Sequence, residues 1–397
     1  MNMWRIIFLC IAIVEAEIEF VQVLLRHGDR APSFSFPNEK DFDVNKYFPR
    51  GYSQLTNRGY EQAQELGDYL RKTYGDIIGE KFDRKTTWIR SSDKDRCIET
   101  AMGLATTLYP GQIVPVHTYS SYKEDLMLKP NSVFCRKADE IVQKEKDEFI
   151  RHTNLEYSEF FNFLSEKTGW NVDASNIQNV YNVLYRKHVN NVPLPSWVYS
   201  NHSSVLNTVL ELKRQTRMLS FNSAEKSKLR TGYLLSQITK QMSERARKQT
   251  ERKMNVLAAH DATVTSMMYS LGISDHQLPD YTAALIFELH RIVLEDGKTR
   301  RFVKVLYRHS KTEEPKEMMT MRWSNFERFV KERTVESREE FEQLCENHLE
   351  EAMEIDIPSE TEQEPEQEQE DTFEKTTMFT FGLFSLLDLS TIMWNKN

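Results

Sequence analysis

Cysteine is scarce, with 4 in 397 residues and no Cys-x-x-Cys pair. That is too few for a disulfide scaffold and gives no sign of structural zinc. A Gly-x-x-x-x-Gly-Lys-Ser/Thr phosphate loop, a Gly-x-Ser-x-Gly nucleophile turn and an internal repeat are also absent. No apolar run reaches the roughly 20 uninterrupted residues of a bilayer-spanning helix. One candidate, Ile6 to Val14, is nine residues long, and another, Met378 to Trp394, is seventeen and contains Asp388. Disorder of the whole chain is excluded by 11% aromatic residues, and a chain this long buries a full core without staples. The formal net charge of −8 argues against nucleic acid and other anionic partners, provided the charge is spread evenly.

The charge is not spread evenly. Residues 1–16 read as a secretory signal: Arg5 is the basic flank, Ile6 to Val14 the apolar run, and Val14-Glu15-Ala16 the small-residue cleavage site. Cleavage removes Cys10 and leaves Cys97, Cys135 and Cys345 for an oxidising compartment. At the other end, Glu346 to Glu374 holds thirteen Asp and Glu and no Lys or Arg. Such a segment repels itself and has little to bury, so 346–375 reads as a disordered linker. Residues 376–397 form an apolar tail with three open readings: a weak membrane tether, the removed tail of a lipid-anchor signal, or a soluble end. Residues 346–397 carry fourteen acids and two lysines, a net −12, which leaves about +4 for 17–345. Asn201-His202-Ser203 is an N-glycosylation sequon, used only in a secreted context.

Between the ends, strand and helix signals alternate. Ile18 to Leu25 is a β-branched, apolar run that leads directly into Arg26-His27-Gly28-Asp29-Arg30-Ala31-Pro32. Thr56 is a candidate N-cap for a helix with the stripe Tyr60, Ala63, Leu66, Leu70 and Tyr74. Thr86 to Ile89 predicts a second strand ending at Arg90, followed by a helix with Cys97, Ala101, Leu104 and Leu108 on one face. The chain is helical from about 131 to 250. Met254 to Ala259 predicts a third strand ending in His260-Asp261, with a short helix from about Thr263 to Leu271. Ala283–Leu294 and Arg301–Tyr307 predict a hairpin around Asp296-Gly297. The fold class expected is α/β, a mostly parallel sheet with helices on both faces and an inserted smaller helical domain. The α/β core is expected over about 17–130 and 225–345, and the insertion over about 131–224.

Three polar clusters stand at three strand ends, and ligands of open α/β sheets bind outside the carboxyl ends of the strands. Arginine offers a planar, permanently charged fork for phosphate oxygens. A neutral histidine among arginines is a nucleophile, and an aspartate beside it is a proton donor. Gly28 lets the backbone approach an anion closely.

Leu24-Leu-Arg-His-Gly-Asp-Arg-Ala-Pro32 with a distant Ala259-His260-Asp261 resembles the histidine acid phosphatase family, most of all its animal prostatic and lysosomal branch. Gly51-Tyr-Ser-Gln-Leu-Thr56, Trp88-Ile-Arg-Ser-Ser-Asp93, Pro115-Val-His-Thr118 and Leu194-Pro-Ser-Trp197 support the resemblance, which covers most of 18–345. It implies a phosphoglycerate-mutase-like sheet and an acid phosphatase that hydrolyses phosphate monoesters without a metal or other cofactor. His27 is the implied nucleophile and Asp261 the implied acid; Arg26, Arg30, Arg90 and His260 bind the phosphate. Asp29 is expected to stabilise the loop, and His117 to lie outside the chemistry. The resemblance pairs Cys135 with Cys345 and implies a homodimer. The chain departs from the family where Arg186 and Ala284 replace one cysteine pair and where a third pair near Trp323 is missing. Two alternatives stay open: a lipid- or inositol-phosphate phosphatase of the same clan, and a catalytically silent secreted binding protein. The expected location is extracellular or lysosomal.

Overall fold

The computed structural model describes residues 16–120, 124–199, 205–309 and 314–346. The expected signal up to Glu15, the sequon at Asn201, and the linker and tail beyond Glu346 lie outside the described residues. Seven strands form one sheet: β1 (Glu17–Arg26), β2 (Thr87–Ser91), β3 (Val116–His117), β4 (Met254–Ala259), β5 (Ala284–Val293), β6 (Thr299–Arg308) and β7 (Lys316–Arg322). Their spatial order is β3-β2-β4-β1-β5-β6-β7. The helices are α1 (Val44–Tyr47), α2 (Asn57–Ile78), α3 (Asp95–Leu108), α4 (Arg136–Glu156), α5 (Ser158–Thr168), α6 (Ile177–Val189), α7 (Val205–Leu219), α8 (Ala224–Ala246), α9 (Asp261–Ser270), α10 (Trp323–Lys331) and α11 (Arg338–Leu344).

The four strands β3, β2, β4 and β1 are parallel, and β5, β6 and β7 extend the sheet antiparallel. The parallel core expected from the strand–helix alternation is therefore present, and the hairpin adds a mixed half. Successive side chains of a strand point to opposite faces, and here both faces are apolar. Val21, Val23 and Leu25 of β1 pack with Leu66, Leu70 and Tyr74 of α2 and Leu104 of α3. Phe20 and Leu24 pack on the other face with Leu234 and Ile238 of α8, Val264 and Met267 of α9, and Phe326 of α10. Each fully buried Leu, Val or Phe contributes about 1.5–3 kcal/mol, so register and facing are strongly specified.

The stretch between β3 and α8 is helical and has its own core. Leu164 of α5, Val180 and Leu184 of α6, and Val209 and Leu212 of α7 bury together with Phe36. Phe36 lies on the loop after β1, so this core grips the chain only nine positions beyond His27. Cys135 caps the start of α4 and is disulfide-bonded to Cys345 at the end of α11, across 210 residues. Cys97 is a buried free thiol on α3. Thr56 caps α2 as expected, accepting from Gly59 N at 3.0 Å. Among the described residues, no helix is long and apolar enough to cross a membrane.

Candidate functional site

β1 and β4 run in register from Val21↔Met254 to Arg26↔Ala259. The residues that follow, His27 and His260, therefore leave the sheet side by side although 233 positions separate them. His27 N donates to Ala259 O at 3.0 Å, and Ser92 N, just past β2, donates to Ala258 O at 3.0 Å. The two imidazoles stand edge to face with centroids 5.7 Å apart.

His27 is buried, and its Nδ1 lies 2.8 Å from Gly28 O. A carbonyl only accepts, so Nδ1 carries the proton and the lone pair stays on Nε2. Burial, reinforced by Arg96, Arg26 and His260, holds the imidazole well below its usual pKa, and it is neutral. Arg96, the second residue of α3, donates Nε–H to His27 Nε2 at 3.3 Å.

The loop that carries His27 is locked from below. A Cβ on Gly28 would lie 2.2 Å from Gly59 O, and one on Gly59 would lie 2.1 Å from Asp29 O, so loop and helix touch backbone to backbone. Asp29 is fully buried. Its Oδ2 accepts from Thr56 Oγ1 and from Asn190 Nδ2, both at 2.7 Å, and its own N–H donates to Gln62 Oε1 at 2.9 Å. It ties the loop to α2 and to the end of α6.

The three sequence-predicted arginines are buried, each fixed by protein acceptors. Arg26 Nη1 donates to Pro279 O at 2.6 Å and its guanidinium stacks 4.1 Å over Tyr281. Arg30 donates to Ala31 O at 3.0 Å and Ser33 Oγ at 2.9 Å. Arg90 pairs with Asp125 at 2.7 Å and lies 4.1 Å over Tyr119. The Nε atoms of Arg26 and Arg90 are buried with no hydrogen-bond partner among the described residues. Unpartnered buried cationic donors are costly in isolation and suited to an arriving anion.

His260 caps α9 and pairs with Ser92 Oγ at 2.9 Å. Asp261 is the first residue of α9, where the helix favours a carboxylate. Its Oδ2 lies 3.3 Å from Arg217 Nη2. Burial pushes this carboxyl up, but Arg217, Arg26, Lys213 and His27 outweigh burial and hold it well below the usual carboxylate range. The same geometry sets a condition on the expected acid: close to Arg217, Asp261 favours the carboxylate.

Arg96, Arg217, Lys213 and Asp125 were not anticipated from the sequence. Lys213 and Arg217 are four apart on α7, one face of a helix, and that spacing was the only available signal. Beside Arg26, a cavity of about 250 Å³ opens, lined by Tyr181 and Tyr185 of α6, Leu210 and Arg214 of α7, and Pro279. His117 is exposed on β3 and stacks against Trp88. Cys97 Sγ lies 3.8 Å from the His260 ring nitrogens.

The family model of the histidine phosphatase superfamily (branch 2) matches residues 17–308. Prostatic acid phosphatase of Mus musculus is 31% identical over 315 residues, covering 75% of this chain and 80% of that protein. Lysosomal acid phosphatase of Bos taurus is 28% identical over 289 residues, covering 69% and 67%. Among solved structures, Hafnia alvei phytase in complex with myo-inositol hexakis sulphate superposes with a TM-score of 0.63 at 15% identity, covering 83% of this chain and 98% of that one. Citrobacter braakii phytase gives 0.61 at 14% identity, covering 83% and 99%. At these identities the phytases are similar in fold.

Proposed function

The chain belongs to the histidine phosphatase superfamily, branch 2, and is a phosphomonoester hydrolase of the acid phosphatase kind; we propose that it works through a covalent phosphohistidine on His27. The observation that carries this reading is the tautomer: Gly28 O holds the Nδ1 proton and leaves a neutral Nε2 lone pair among cations. Arg26, Arg30 and Arg90, with His260, bind the phosphate oxygens. His27 Nε2 attacks phosphorus as the ester P–O bond breaks, and Asp261 gives its proton to the departing oxygen. Water then attacks the phosphohistidine, Asp261 takes a proton from that water, and phosphate and neutral His27 are released. The covalent step divides one hard displacement into two easier ones. Uncatalysed monoester hydrolysis is slow enough that enzymes accelerate it by up to about 10²¹-fold, and fixed guanidinium donors at the transferring phosphoryl are the main electrostatic lever.

The substrates are small-molecule phosphate monoesters. The preference among them is set by the α6–α7 cavity, which Arg26 itself lines. Inositol phosphates are a second reading, favoured by the cations Lys213 and Arg217 on α7 and by the myo-inositol hexakis sulphate complex of the Hafnia alvei phytase. The Cys135–Cys345 bridge supports an oxidising compartment, and with the expected signal it supports a secretory-pathway enzyme, extracellular or lysosomal, with Asn201 glycosylated. We take 17–345 as the catalytic unit. A homodimer follows from the resemblance alone and is tested by light scattering.

Enzyme pulsed with ³²P-labelled ester and quenched in alkaline denaturant is expected to retain label that is stable to alkali and lost in acid. Alkali-labile label, or label retained by His27→Ala, overturns the assignment.

A further inference from the structure

Asp261 faces charge from several elements at once: Arg217 and Lys213 of α7, Arg26 of β1, and His27 and His260 at the strand ends. Arg217 touches it, at 3.3 Å, and both side chains are about one-fifth exposed. The pair is therefore reachable by a ligand rather than sealed. As long as it persists, the carboxylate is matched to a cation, and taking up a proton would leave Arg217 opposite a neutral acid among other positive groups. A group that must donate a proton is thus held in the form that has none.

Entry of a phosphate ester removes the conflict. Its negative oxygens bring anionic charge among Arg26, Lys213 and Arg217, and Arg217 can turn from Asp261 to a phosphate oxygen. The carboxyl then loses the contact with Arg217 and gains an anion beside it, and both changes favour protonation. We propose that Arg217 is a positioning residue that exchanges Asp261 for the substrate phosphate, so that the acid is loaded with its proton only when the site is occupied. The proposal rests on the reading of Asp261 as the acid. It adds that a helix outside the strand-end motif decides when the acid is ready.

The test compares wild type, Arg217→Leu and Arg217→Lys on glycerol 2-phosphate, whose alkoxide must be protonated, and on 4-nitrophenyl phosphate, whose phenolate leaves unaided. The limb of kcat/KM at higher pH reports the free enzyme's acid, and the substrate's own ionisation cancels between variants. Activity needs protonated Asp261, and removing a neighbouring cation raises its pKa, by about 1–3 units for a close pair. Arg217→Leu is therefore expected to move the limb for glycerol 2-phosphate up by about one pH unit or more, to leave the limb for 4-nitrophenyl phosphate in place, and to raise KM for both. Arg217→Lys restores the limb.

A second measurement needs only folded wild type. Sulfate keeps the same charge between about pH 4 and 7, so the slope of log Ki against pH counts the protons taken up by the enzyme. A slope near one is expected for wild type, and a smaller one for Arg217→Gln. An unmoved limb in Arg217→Leu, equal shifts on both esters, or a wild-type sulfate slope near zero overturns the proposal. Asp261→Asn separates this failure from a deeper one. If it loses alkyl-ester turnover selectively, the acid assignment stands and only the role of Arg217 falls; if it loses the two esters equally, the assignment falls and the proposal with it.

Discussion

The strand ends and helix α7 bring charge to the same centre by different means. Arg26, His27, Arg90 and His260 are placed by the backbone ladder of β1, β4 and β2, which fixes their neighbours to within a hydrogen bond. Lys213 and Arg217 arrive on a helix whose core is separate from the sheet and is shared with α5 and α6. The strand-end groups can shift little without breaking the sheet. The α7 groups sit outside the backbone ladder, so replacing them leaves the strand pairing intact. In the mechanism proposed above, attack on phosphorus belongs to the first wall, and substrate choice and proton control belong to the second.

That division can be broken experimentally. His27→Ala should lower kcat by about 10⁴-fold or more on aryl and alkyl esters alike; a loss confined to one ester class would move the nucleophile away from the strand ends. Cys135→Ser, which releases the start of α4, should reduce stability by up to about 4–5 kcal/mol in the chain-entropy model. Chemical denaturation should show this, with kcat on 4-nitrophenyl phosphate kept by the folded fraction. A fall in kcat would couple the two walls. Arg90→Ala should lower kcat/KM by about 10²–10³-fold regardless of ester, while Arg214→Ala, on the cavity wall, should shift the ranking of esters only a few-fold. Steady-state kinetics on an ester panel decides between uniform and selective loss.

The smallest effect concerns neither wall. Tyr74 OH and His290 donate to the buried Glu288 at 2.6 and 2.7 Å. Burial raises its pKa, and these two bonds more than offset burial and depress it. A depressed carboxylate stabilises the fold above its unfolded pKa, about 4.3, and loses that contribution as pH falls through its folded value. Glu288→Gln should therefore lower Tm at neutral pH by the equivalent of about 1–2 kcal/mol, with the gap to wild type closing in acid. Thermal melts across pH read this directly, and kinetics at neutral pH should not change.

The same division explains what the sequence disclosed. Strand ends were legible because β1, β2 and β4 are continuous apolar runs that stop at charged residues. Thr56 and the Asp296-Gly297 turn were legible because capping and tight turns are local. β7 was not anticipated: Lys316 to Arg322 is an edge strand with partly buried methionines and polar ends, and its pairing with β6 is visible only in three dimensions. β3 is two residues long and carries no period. Arg217 looked like any arginine on a helix surface, since nothing nearby in the chain marks it as facing Asp261. The contact between them joins residues 44 positions apart, and no local pattern announces it.

The strand order β2-β4-β1 carries a further consequence, concerning the time at which the enzyme comes into being. β4 lies between two strands made long before it and is the only bridge between them. A chain growing from its N-terminus has β1 and β2 in hand, with α2 and α3, yet no sheet can join them until Met254–Ala259 has emerged. Such distant pairing is slow and is completed late. The strand that joins β1 to β2 also delivers His260 and Asp261, so the strand-end clusters meet only when that distant pairing forms. A nascent chain that ends before Met254 holds His27 without the pair His260-Asp261.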